Sequence, residues 1–187
     1  MFTECMPEAT SVKSLTILRA KAGSPIVGMI AGLPVRCLTH YFRKKTVPCV
    51  MSSHRECPLC TKGLSKRYYA YYPLQSGKGS LAVIELTASS EAALVDFLKN
   101  QPPMSLPVLT VKRQAGRKNN PLIVNVDFKH CSHEEMAAFG SKTVDKDIVK
   151  RTLCRLWSMP EWSPGMNEDE YGNLAASYLT ELVNERV

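Results

Sequence analysis

The sequence predicts a mainly β protein with α additions: a five-stranded OB-fold barrel carrying a metal-binding loop insertion, followed by carboxy-terminal helices. Three observations carry that prediction. Five β-rich apolar stretches recur between residues 25 and 130. A helix-like segment falls between the third and fourth of them, where an OB-fold, a small partly open Greek-key barrel, places its helix. Four cysteines and two histidines crowd into CLTHYFRKKTVPCVMSSHRECPLC, residues 37–60, after the first stretch. An SH3-like barrel or an unrelated α+β sheet are the alternatives that strand order leaves open.

Taken in order, residues 1–24 read as an arm with one strand in KSLTILRA. IVGMIAGLPVRCLTHYF is long enough for one bent strand or two, with Gly28 and Gly32 permitting the bend. RYYAYYPL and SLAVIELT follow, both with strand-like patterning. ASSEAALVDFLKNQPP reads as a helix capped by Ser89 or Ser90, with Leu94, Phe97 and Leu98 as its apolar stripe and the prolines as its stop. VLTVKRQ and PLIVNVDF flank AGRKNN, a loop rich in turn residues. These stretches define an OB-fold domain at 25–130 with a zinc subdomain at 37–63. The extension, 131–187, reads as helices: SHEEMAAF, DKDIVKRTLCRLWSM with Ile148, Leu153, Leu156 and Trp157 on one side, and EYGNLAASYLTELVNERV. HCSH at 130–133 reads as a loop and helix cap.

The net charge of +7 is unevenly spread. Residues 36–129 hold 15 Lys/Arg against 5 Asp/Glu, whereas residues 130–187 hold 6 against 10. A basic core with a mildly acidic end suits a polyanionic partner. No run approaches a membrane span, and MFTECMPEATSVKS lacks the basic-then-apolar order of a signal peptide. A soluble, cytoplasmic protein of a bacterial or phage-infected cell, associated with the nucleoid, is the expectation. Clustered beside histidine, the cysteines suit metal rather than disulfides.

Cys57-Pro-Leu-Cys60 is the strongest local signal, because a C-x-x-C knuckle lets two thiolates share one tetrahedral ion. Pairing Cys37 with His40 completes an obvious pattern, but strand alternation opposes it. In an extended PVRCLTHYF, positions 37 and 40 face opposite sides. Cys37 then belongs to the core, and His40, Cys49, Cys57 and Cys60 are the ligand set for one structural Zn2+. Cys37 is the leading substitute and His54 a further one. Four protein ligands leave no open position for an activated water, so the ion is expected to clamp rather than catalyse. His54-Arg55-Glu56 beside a C-x-x-C is no deaminase site, since one loop cannot supply both halves of that motif. The acids of the basic core, Glu56, Glu85, Glu91, Asp96 and Asp127, are too dispersed for a metal-dependent nuclease. No enzyme is expected.

The order His40, Cys49, Cys57-Pro-x-Cys60, followed by a basic and aromatic strand, resembles the zinc-containing OB-fold of T4-type phage single-stranded DNA-binding proteins. CVMSSHRECPLC matches that family's cysteine loop and KRYYAYYPL its following strand, so the resemblance covers roughly residues 40–75, with weaker topological support to about Phe128. It implies a zinc subdomain beside a DNA cleft. The family's acidic tail and basic self-association arm are not clearly present, and the spacing between His40 and Cys49 is short for the family.

Single-stranded nucleic acid is held by cations along its phosphates and by rings stacked on its bases. Alternation in RYYAYYPL turns Arg67, Tyr69 and Tyr71 outward, opposite Tyr68, Ala70, Tyr72 and Leu74. Arg43, Lys44 and Lys45 lie in the metal-bearing loop, and Lys112, Arg117 and Lys118 in the later hairpin, the two loops that OB-folds use on oligonucleotides. The expected partner is single-stranded DNA, or RNA, along with replication or recombination proteins. The alternative is a zinc-stabilised adaptor that binds a protein through its carboxy-terminal helices.

Overall fold

The computed structural model describes residues 15–114 and 121–185. Among these residues the strands are β1 (Thr16–Leu18), β2 (Ile26–Ile30), β3 (Val35–Phe42), β4 (Lys45–Pro48), β5 (Arg67–Gln75), β6 (Leu81–Thr87), β7 (Ser105–Arg113) and β8 (Leu122–His130). The helices are α1 (Pro58–Thr61), α2 (Ala88–Lys99), α3 (His133–Gly140), α4 (Lys146–Trp157) and α5 (Glu168–Asn184). No described helix is long and apolar enough to cross a membrane.

The sheet path is β1-β6-β5-β2-β7-β8, with β3 paired to β5 and β4. The run from Ile26 to Phe42 is therefore one bent ribbon in two strands. Its first half pairs with β7 and with the end of β5, and its second half pairs with the start of β5. Gly32 lies in the bend at φ +152°, and a Cβ there would meet the Val144 carbonyl oxygen at 2.6 Å. Gly32 thus lets the linker before α4 dock on the ribbon, where Val144 N–H donates to the Ala31 carbonyl at 2.7 Å.

The expected barrel differs from the observed sheet. Closing a barrel would require β6 to meet β8, but β6 pairs instead with β1, in parallel. The sheet is open, and eight strands stand among the described residues where five barrel strands and one arm strand were expected, because the bent ribbon is split and β4 is added.

Alternation along β5 divides two cores. Ala70, Tyr72 and Leu74 face a core with Ile84, Leu94 and Leu109, which α2 covers. Tyr71 faces the other way, into a core shared by the metal-bearing loop and the helices: Val47, Leu59, Leu153, Trp157 and Leu179 all belong to it. The hairpin of β3 and β4, the helix-side face of β5 and helices α4 and α5 therefore share an interior.

Details of the helices depart from the expected registers. Thr87, not a serine, is the N-cap of α2 and makes no side-chain cap bond to the backbone. The buried stripe of α4 runs through Val149, Leu153, Cys154 and Trp157, while Leu156 is exposed. Ser132 and Glu135 form a reciprocal capping box on α3, as Asn167 and Glu170 do on α5.

Candidate metal centre and the basic cleft beside it

His40, Cys49, Cys57 and Cys60 converge, with one ligand atom from each lying within 4.8 Å of every other. The fold explains how. β3 and β4 form a hairpin in which His40 is opposite Val47, and Cys49 follows the last residue of β4, anchored by its N–H donating to the Leu38 carbonyl at 2.8 Å. Cys57 caps α1, with Pro58 starting its first turn and Cys60 inside it. This single turn brings both knuckle sulfurs against the hairpin.

The distances suit a tetrahedral ion. His40 Nε2 lies 3.6 Å from Cys57 Sγ and 3.4 Å from Cys60 Sγ, and the Cys49 and Cys60 sulfurs are 3.5 Å apart. Ligand bonds of about 2.0–2.3 Å around one zinc place such atoms roughly 3.5–3.8 Å apart. The other ring nitrogen, Nδ1, is 3.1 Å from the Ser65 carbonyl. Donation there turns Nε2 and its lone pair toward the sulfurs, the usual outer support of a ligating histidine. These four residues could hold a metal ion.

Electrostatics agree. Burial opposes ionisation of the Cys57 thiol, yet the backbone N–H groups of Cys60, Val50 and Leu59 outweigh it and hold the thiol below its ordinary value. Burial pushes Cys49 up to about 12, helped by the Cys60 and Cys57 sulfurs. A cation among them reverses that balance, because metal binding displaces the thiol protons.

The alternative ligands stand apart. Cys37 pairs with Tyr69 across the sheet and packs against the helix-side core, where burial pushes its thiol up to about 12. His54 is exposed in the turn between Ser52 and Arg55. Neither is in the four-residue group.

Arg55 ties the metal loop to α5. Its guanidinium donates to the Val50 carbonyl at 2.7 Å, and to the Asp169 carbonyl and the Asn173 side chain, both at 3.1 Å. It lies against Gly172, where any Cβ would collide with it. Leu59 of α1 is fully buried in the same seam.

The residues expected to meet nucleic acid separate into groups. Tyr71 requires correction: it is fully buried, with its ring edge-on to Trp157 at 5.8 Å and its hydroxyl donating to Glu85 at 3.1 Å. The alternation that turned it away from one core is right, but α4 covers that second face. Arg43 is exposed yet engaged, donating to the Glu185 carbonyl at 2.6 Å at the end of α5. Lys44, Lys45, Arg67 and Lys112 are exposed, and Tyr69 is half-buried. Arg117 and Lys118 lie outside the described residues.

Three residues absent from the sequence reading join this set. Tyr41 is 53% exposed, and the Arg67 guanidinium lies 5.8 Å from its ring centre. Arg19 and Arg113 line a cleft of about 250 Å³ together with Tyr69, Thr87 and Glu85. Arg19 pairs with Glu85 at 3.2 Å, and Arg113 donates to the Ala20 carbonyl at 3.1 Å. Only the pairing of β1 with β6 brings Arg19 here, a long-range contact with no local signal. Tyr41 was legible in the exposed phase of YFRKK.

No known family, curated protein or solved structure matches this chain.

Proposed function

We propose that the chain is a non-catalytic single-stranded nucleic-acid-binding protein of replication or recombination, with an OB-type core clamped by one structural zinc ion. The observation that carries this reading is the cleft in which Tyr69 lies with Arg19, Arg113, Thr87 and Glu85. It combines a ring able to stack on a base with two guanidiniums, of which Arg19 would exchange its Glu85 partner for a phosphate. Arg67 with Tyr41 supplies a second cation and ring on the neighbouring ribbon.

The OB-type core is supported by the partial path β6-β5-β2-β7-β8 with α2 following β6, which matches the strand and helix order of that fold. Zinc is favoured by the donors themselves, since three thiolates and an imidazole in tetrahedral spacing suit it better than hard cations. Four protein ligands leave it no open position, which favours a clamp. The buried faces of α4 and α5 pack within the chain, which sets nucleic-acid binding ahead of an adaptor role for those helices.

A mobility-shift comparison of single-stranded DNA, single-stranded RNA and duplex DNA of one length tests the reading. Single strands should shift at protein concentrations that leave the duplex free. Equal affinity for the duplex, or no shift at all, would overturn it.

A further inference from the structure

A second cleft, of about 380 Å³, lies between the metal-bearing hairpin and helices α4 and α5. Its lining cations are paired, Arg36 with Glu91, Arg55 with Asp169 and Lys150 with Glu168. Nothing charged is left over to select an ion, and Val35, Leu38, Val50 and Leu153 make much of the remaining wall apolar. A small neutral molecule suits such a cleft. What sets the lining apart is sulfur, because Cys37, Cys49 and Cys154 all contribute to it.

These three thiols differ in what they can do. Burial pushes the Cys37 thiol up to about 12. Burial also raises Cys154, whose thiol donates to the Tyr171 hydroxyl at 3.0 Å. Both are protonated at neutral pH, and a protonated thiol is a poor nucleophile. Cys49 is the exception, since it belongs to the ligand group, where metal binding displaces the thiol proton. Of the four ligands it alone lines the cleft. His40 and Cys57 are fully buried, whereas Cys49 and Cys60 are half-buried. The Cys49 and Cys60 sulfurs are 3.5 Å apart, so a movement of about 1.5 Å would join them. Cys49 follows the end of β4 and Cys60 sits in a single helical turn, so no long element opposes that movement.

We propose that Cys49 is a site of modification by hydrogen peroxide, with Cys60 as its resolving thiol, and that this oxidation opens the metal clamp. The Cys49 thiolate attacks one peroxide oxygen; the S–O bond forms as the O–O bond breaks, hydroxide leaves, and a sulfenic acid results. The Cys60 thiolate then attacks the Cys49 sulfur; the S–S bond forms as the S–O bond breaks, and a second hydroxide leaves. The two thiolates together lose two electrons and the peroxide gains them. Only His40 and Cys57 then remain as ligands, too few for a closed tetrahedral site. The inference rests on the reading of these four residues as a zinc site, and it does not depend on nucleic-acid binding.

The test uses the full, zinc-loaded chain, with its zinc content measured first. Hydrogen peroxide is added in the presence of a zinc-responsive dye, and an unreduced digest is mapped by mass spectrometry. Zinc should be lost in step with a disulfide between Cys49 and Cys60, at about one ion per bond, while an untreated control keeps its metal. Dithiothreitol and fresh zinc should restore the parent. Dimedone, which captures sulfenic acids, should label Cys49 ahead of Cys37, Cys60 and Cys154. Retention of zinc, a first bond between Cys57 and Cys60, or oxidation beginning at Cys37 or Cys154 would overturn the proposal and leave the zinc reading intact. A chain that takes up no zinc would overturn both.

Discussion

Tyr69 and Tyr71 stand two positions apart on one face of β5, and α4 separates their roles. Tyr69 remains half-buried at a cleft, whereas Tyr71 is sealed beneath Trp157. Tyr69→Ala should weaken single-strand binding by about 1–3 kcal/mol with little loss of stability. Tyr71→Ala should instead cost about 3–5 kcal/mol of stability through the cavity it leaves. Paired urea melts and oligonucleotide titrations separate the two outcomes. Alternation in the sequence located both faces of β5, but it could not reveal a helix some 80 residues further on covering one of them. The same alternation set Cys37 apart from His40, and the four donors that gather in the fold do not include it, because that question depended on local geometry.

Glu91 supplies a pH signature at this scale. It is buried, and Tyr68, Tyr72 at 2.9 Å and Arg36 at 2.6 Å all donate to its carboxylate. Burial opposes its ionisation, but those donors prevail and hold its pKa below the ordinary carboxylate value of 4.5. Its contribution to stability is therefore complete above that value and is lost as pH falls through the lower, folded-state value. Glu91→Gln should lower stability by about 2 kcal/mol at neutral pH and flatten the acid limb of the stability curve. Urea midpoints measured from pH 7 down to pH 3 check both effects.

Among the elements, the hairpin of β3 and β4 is the most informative. Phe42 pairs with Lys45, leaving Arg43 and Lys44 as a two-residue turn with φ of 47° and 63°. Such turns favour Asn and Gly, since side chains resist positive φ. Retaining two cations there opposes backbone preference, which fits a tip selected for charge. Lys44→Gly should raise stability by about 1 kcal/mol while weakening nucleic-acid binding, a trade readable in a thermal melt and a titration on the same sample. The ligand order was legible because a metal loop writes its donors locally. The elements β4 and α1 were not, since each has only four residues and short pieces carry too little periodicity to read.

Removing the metal should act on two elements at once. Leu59 of α1 and Arg55 of the loop both pack against α5, so chelation frees the hairpin and loosens that helix. Hydrogen exchange with and without a chelator should show lost protection in residues 38–66 and in α5, with β7 and β8 unchanged. Uniform loss across the chain would contradict a local clamp.

At the level of the whole molecule, the chain is an open sheet with one face packed under acidic-ended helices and a basic cleft left uncovered. The order of the main strands and the placing of α2 were readable from hydrophobic pattern and turn residues. The absence of closure was not, because it turns on β1 pairing with β6, a contact spanning more than sixty residues. The uneven charge along the sequence has a spatial counterpart: Arg19, Arg67 and Lys112 are exposed on the sheet. Binding through such groups releases counterions, so the logarithm of affinity should fall with the logarithm of salt at a slope between about −2 and −4.

Photo-crosslinking tests the central claim most directly. A single-stranded oligonucleotide carrying iodouracil, irradiated with the metal-loaded protein and mapped by mass spectrometry, should join to Tyr69 and Tyr41. Crosslinks confined to α3, α4 or α5, or none above the level of a duplex control, would contradict a strand-binding cleft beside the metal clamp.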